Sequence, residues 1–94
     1  MATVDLDRVA SLVRSWRAFE QTRAETAKEL RALIQNACEA LTTNHDHERM
    51  LASEPVRMLR HAVSAHAPQL GFNSQSDLEF LFWATSLCLR LTAA

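Results

Sequence analysis

Between Asp5 and Leu41 the chain contains neither glycine nor proline, and its apolar residues recur at Val9, Leu12, Val13, Trp16, Phe19, Ala27, Leu30, Leu33, Ile34, Ala37 and Leu41. That spacing of three and four marks one apolar face of a helix. Asp5 and Asp7 fall in its first turn, where carboxylates suit the helix dipole, and Thr3 or Asp5 can cap it. Unbroken, a helix of about 37 residues is roughly 55 Å long, whereas a compact domain of this chain's length is only about 32 Å across. The helix must therefore break or overhang its own domain. A break near Thr22, in the weakly apolar Glu20–Glu25 stretch where Thr22 and Glu25 have capping-box spacing, gives a four-helix bundle. Without it, the chain is a three-helix bundle with a long N-terminal helix, completed by dimerisation. No residue near Thr22 forces a break, and the unbroken helix is the favoured expectation.

The rest of the chain is also helical in character. One glycine, two prolines and no tyrosine leave little material for the many turns of a β fold. The expected class is all-α, in a single domain over residues 1–94. Thr42 to Ser53 is polar and reads as a loop leading into a short helical turn capped by Asn44. Glu54-Pro55 opens another helix, capped by Ser53 or Glu54, with Val56, Leu59, Ala62, Val63 and His66 facing inward. Pro68 ends it. Gln69 to Asn73 forms a tight connection with Leu70 and Phe72 tucked under the bundle. A final helix begins at Ser74 or Ser76, the latter in capping-box register with Glu79.

That final helix, to Leu91, is apolar on every side, its only charges being Asp77, Glu79 and Arg90. At 100° per residue it carries two stripes. One is Phe80, Trp83, Ala84, Leu87 and Leu91; the other is Leu78, Leu81, Phe82, Cys88 and Leu89. A single small domain can cover one of them, so the other is expected to meet a second chain, since contiguous exposed apolar patches mark interaction sites. The expected partner or dimer interface comprises Leu78, Leu81, Phe82, Trp83 and Leu89, with Trp16 and Phe19 of the first helix. The run is too short and too interrupted to span a membrane. Cys38 and Cys88 both fall at helix-buried positions and are expected to behave as small unpaired hydrophobes.

Chemistry-bearing motifs are sparse. His45 and His47 are two apart, and His61 and His66 are five apart; neither spacing places two imidazoles on one helix face, so no metal is expected. No Gly-x-Ser-x-Gly occurs, and Gly71 is the lone glycine, which excludes a glycine-rich phosphate loop. No cofactor is expected. Arg14 with Arg17, and Arg57 with Arg60 and His61, form small basic clusters that leave a DNA-binding regulator as an alternative. A formal net charge of −1 provides no general attraction to nucleic acid or to an anionic membrane, and neither is an expected partner.

A long first helix, a polar turn and two further helices in under a hundred residues resemble the all-helical chorismate mutase family, whose members form intertwined dimers. Arg14 and Arg31, seventeen positions apart, are similar to that family's pair of substrate-clamping arginines, and His47-Glu48-Arg49 resembles its second-helix motif. The chain departs from the family at Thr42 or Thr43, where the family has a lysine, and at His47, where it has an arginine. The resemblance implies a mutase-like enzyme as a further alternative.

The leading expectation is a non-enzymatic regulator that sequesters a protein partner through an apolar helix surface, such as an antiactivator of a bacterial transcription factor, or alternatively a secretion-type chaperone or adaptor. The N-terminus shows neither the basic nor the apolar region of a signal peptide, and residence in the cytoplasm as a homodimer completes the expectation.

Overall fold

The computed structural model describes residues 6–66, 70 and 76–92. Within them the chain forms five helices and no strand: α1 (Leu6–Thr22), α2 (Ala24–Thr43), α3 (His47–Ala52), α4 (Glu54–Ser64) and α5 (Asp77–Thr92). The all-α class is therefore established. α2 is the central element, with α4 and α5 packed most extensively against it and α1 folded back along it.

The expected unbroken first helix is not what forms. α1 stops at Thr22, and Arg23, at φ −130 and ψ 58, leaves helical geometry. The Thr22 hydroxyl does not cap the next helix; it donates backward to the Ala18 carbonyl at 2.9 Å. The Arg23 N–H still donates to the Phe19 carbonyl at 2.7 Å, and the Arg23 carbonyl accepts from Ala27 at 2.8 Å. The corner thus leaves first-turn N–H groups of α2 and last-turn carbonyls of α1 without intrahelical partners, as helix ends do. In return α1 folds back and buries Trp16 and Phe19, each side chain contributing about 1.5–3 kcal/mol. An ion pair between Glu20 and Arg31 spans the corner. With the helix broken, the molecule measures 34 × 29 × 29 Å and has no overhang, which removes the long helix as a reason to expect a dimer.

α2 ends on side chains that turn back to its last carbonyls. Thr42 Oγ1 donates to Cys38 O at 2.7 Å, Thr43 Oγ1 to Glu39 O at 2.5 Å, and Asn44 Nδ2 to Ala40 O at 3.2 Å. Asn44 therefore does not cap α3. Asp46 does, its carboxylate accepting from the Glu48 N–H at 3.0 Å. Ser53 joins α3 to α4: its N–H donates to Arg49 O and Met50 O, and its own carbonyl accepts from Arg57 at 2.9 Å. Pro55 lies in the first turn of α4, as expected. Val56, Leu59 and Val63 are fully buried on the inward stripe, and the His66 ring stands 5.9 Å from that of Phe19. Leu70 is buried, while the expected roles of Thr3, Asp5, Pro68, Gly71, Phe72, Asn73 and Ser74 lie outside the described residues.

α5 begins where its capping register predicts, with the Glu79 N–H donating to Ser76 Oγ at 3.2 Å. Two arginines grip its first turns. Arg60 of α4 pairs with Asp77 at 2.7 Å and lies 5.3 Å over the Phe80 ring; Arg8 of α1 pairs with Glu79 and lies 5.0 Å over Phe82. At the other end Cys88 of α5 is bonded to Cys38 of α2, with the two Cα atoms 5.7 Å apart. The expectation of unpaired cysteines is corrected: two helix-buried positions remote in sequence meet where α2 and α5 pack.

Candidate functional site

The two stripes of α5 have different fates. Phe80, Trp83, Ala84 and Leu87 are buried in the core, and Leu91 packs against its edge. On the other side Leu78 is 67% exposed and Leu89 56%, with Phe82 half-buried between them. Leu81 and Cys88, although on the outer stripe, are buried by the chain itself.

This separation corrects part of the expected interface. Trp16 and Trp83 are each 2% exposed and Phe19 3%, so all three are core residues of the folded chain and offer no surface to a partner. Leu78, Phe82 and Leu89 remain available, and Leu81 contributes its outer edge to the same surface.

These residues form one wall of an open groove of about 880 Å³. Leu6 and Val9 of α1 also line it, and Leu6, the first residue of that helix, is 73% exposed. Leu41 and Thr42 of α2 and Met50 of α3 form the opposite side. Asn44, His45 and His47, in and beside the α2–α3 link, reach the rim, as do Thr85, Ser86 and Arg90 of α5. The Thr42 hydroxyl and the Asn44 amide N–H each donate to a carbonyl of α2.

Spacing alone concealed most of this rim. Leu6, Val9, Met50, His45 and His47 come from two helices and a link, and only the fold brings them to α5. Met50 and Leu41 also belong to the core, which makes the groove floor continuous with the protein interior.

The other sequence candidates do not converge on this surface. His61 is exposed on α4 and His66 packs on Phe19, and among the described residues no three metal-ligating side chains cluster. Arg14 is exposed on α1, whereas Arg31 is on α2 and pairs with Glu20. The corner at Arg23 puts these two arginines on separate helices, which removes the single-helix spacing on which the mutase resemblance rests. A second, smaller depression of about 270 Å³ lies between α2 and α4, at Leu33, Asn36, Glu54, Pro55 and Met58. No described helix is long and apolar enough to cross a membrane.

The described residues define an all-α, disulfide-linked fold with an open apolar cleft along α5. No known protein family, characterised protein or solved structure matches the chain.

Proposed function

We propose that the chain is a non-enzymatic protein-binding module whose α5 groove holds an amphipathic helix of a partner protein. The observation that carries this reading is the exposure of Leu6, Leu78 and Leu89 around one continuous apolar cleft. Leu78 and Leu89 are eleven residues apart, so the α5 wall is about 16 Å long, room for roughly three turns of a docked helix. Helices recognised in this way insert side chains at three- and four-residue spacing into a groove of this kind. Burying each exposed leucine under such a helix contributes about 1.5–3 kcal/mol towards binding.

By covering the apolar face of a helical partner, the module would prevent that face from pairing elsewhere, which is how an antiactivator of a transcription factor or an adaptor would act. The Cys38–Cys88 disulfide favours the adaptor form, working in an oxidising compartment, over a regulator in a reducing cytoplasm.

The test is a comparative retention experiment from the native host extract. The wild-type chain retains a specific partner; a Leu78→Glu, Leu89→Glu variant with an unchanged circular dichroism melt does not. Equal retention by both contradicts the reading.

A further inference from the structure

The two cysteines of the chain are bonded to each other beside the groove lining. Thr85, Ser86 and Leu89 flank Cys88 on α5, and Leu41 and Thr42 lie one turn beyond Cys38 on α2; all five line the cleft. The bond therefore ties one wall to the other.

The two walls are not equally secured. α2 ends on buried Leu41, and the side chains of Thr42, Thr43 and Asn44 donate to its last carbonyls. α5 is held at its start, where Arg8 pairs with Glu79 and Arg60 with Asp77. Towards its other end Cys88 is the last residue described as buried, since Leu89 and Arg90 are exposed and Leu91 is half-buried. A terminal turn with so few buried contacts opens at the lowest cost. The bond at Cys88 sits where that turn begins.

Reduction acts there for a steric reason. A covalent bond holds two sulfurs closer than two unbonded thiols can pack, and Cys88 has no exposed surface. A close-packed interior has little room for the added separation. The displacement falls on the less secured wall, the end of α5, and carries Leu89 with it.

We infer that the Cys38–Cys88 bond is a redox switch for the groove: the oxidised chain holds a helical partner and reduction by a dithiol releases it. This rests on the groove being a helix-binding site. Cys38 is half-buried, which makes it the side from which a thiolate approaches. One thiolate of the dithiol attacks the Cys38 sulfur, forming a mixed disulfide and expelling the Cys88 thiolate, which takes up a proton. The second thiolate attacks the reductant's own sulfur in the mixed disulfide, closing the oxidised reductant and releasing Cys38, which is protonated in turn. Two electrons and two protons pass from the dithiol to the chain.

A synthetic amphipathic helical peptide bearing one leucine stripe tests it, with dithiothreitol as the dithiol. The oxidised chain is expected to bind the peptide about tenfold more tightly than the reduced chain. By linkage, saturating peptide then makes the bond harder to reduce by about 30 mV. Cys38→Ala with Cys88→Ala binds equally with and without dithiothreitol. On reduction the circular dichroism stays helical, and amide shifts change at the end of α5 and the facing part of α2 but not at Trp16, Phe19, Leu59 or Val63. Equal binding by oxidised and reduced chains overturns the switch and leaves the helix-binding groove intact. Binding by neither overturns both. Loss of the helical signal on reduction, or shifts at Trp16 and Leu59, also overturns the switch, because the bond then holds the whole fold and not the groove.

Discussion

Cys88, bonded to Cys38, immediately precedes the groove-lining Leu89, while Cys38 lies one turn before Leu41 and Thr42 on the facing wall. The covalent link thus joins the two sides of the cleft. It spans 50 residues of sequence, and in the chain-entropy account a loop of that size stabilises the folded state by about 4 kcal/mol. Reduction is expected to lower the unfolding free energy by up to about that amount, measured by urea titration of oxidised and reduced protein. Identical midpoints with an unchanged slope would show that the bond contributes nothing.

The two faces of α5 should respond differently to substitution. Trp83→Ala empties a fully enclosed site and is expected to cost about 3–5 kcal/mol. Leu78→Glu, on the outer face, should change stability by no more than about 0.5 kcal/mol. Thermal or chemical unfolding of both variants checks the assignment, and a destabilised Leu78→Glu would mean that this face is already covered by the chain.

Trp16 presents a different case. Its indole N–H is buried without a hydrogen-bond partner among the described residues. An unsatisfied buried donor costs about 1–3 kcal/mol, so deleting it offsets much of the area lost when the ring shrinks. Trp16→Phe is expected to lie within about 1 kcal/mol of wild type, whereas Trp16→Ala loses about 3–5 kcal/mol. A Trp16→Phe variant as unstable as Trp16→Ala would reveal a hydrogen bond that the structure lacks.

At the start of α5, Ser76→Ala removes the acceptor of the Glu79 N–H. The expected loss is about 1 kcal/mol, read from the unfolding midpoint, because Asp77, Glu79 and their arginine partners still anchor the turn.

How far the fold could be read in advance depends on whether a feature is local. The cap at Ser76 and the proline in the first turn of α4 are set by neighbours within one or two turns and were legible, as was the division of α5 into two stripes, though not which of them the chain's own core covers. The corner at Arg23 was legible only as the less favoured alternative, a break near Thr22. Nothing in Glu20–Glu25 forbids a continuous helix, and the break is stabilised by distant gains: Trp16 and Phe19 reach the core and Glu20 reaches Arg31. The same limit concealed the disulfide, since spacing along a chain gives no Cα separation between helices. It also led to Trp16, Phe19 and Trp83 being placed at an interface when their own chain covers them. For the groove, the outer leucines of α5 could be anticipated, but the contributions of Leu6, Val9, Met50, His45 and His47 could not, because they lie on other elements and meet α5 only in the fold.

The central claim is that the cleft along α5 is the surface that takes a helix. The most direct test is a titration of isotope-labelled protein with a synthetic amphipathic helical peptide bearing one leucine stripe, followed through backbone amide shifts. The account predicts that the perturbed amides cluster at Leu6, Val9, Thr42, His45, Leu78, Phe82, Ser86 and Leu89, with little change at Leu33 and Met58 beside the smaller depression. Shifts centred on Leu33 and Met58, or none at saturating peptide, would contradict it.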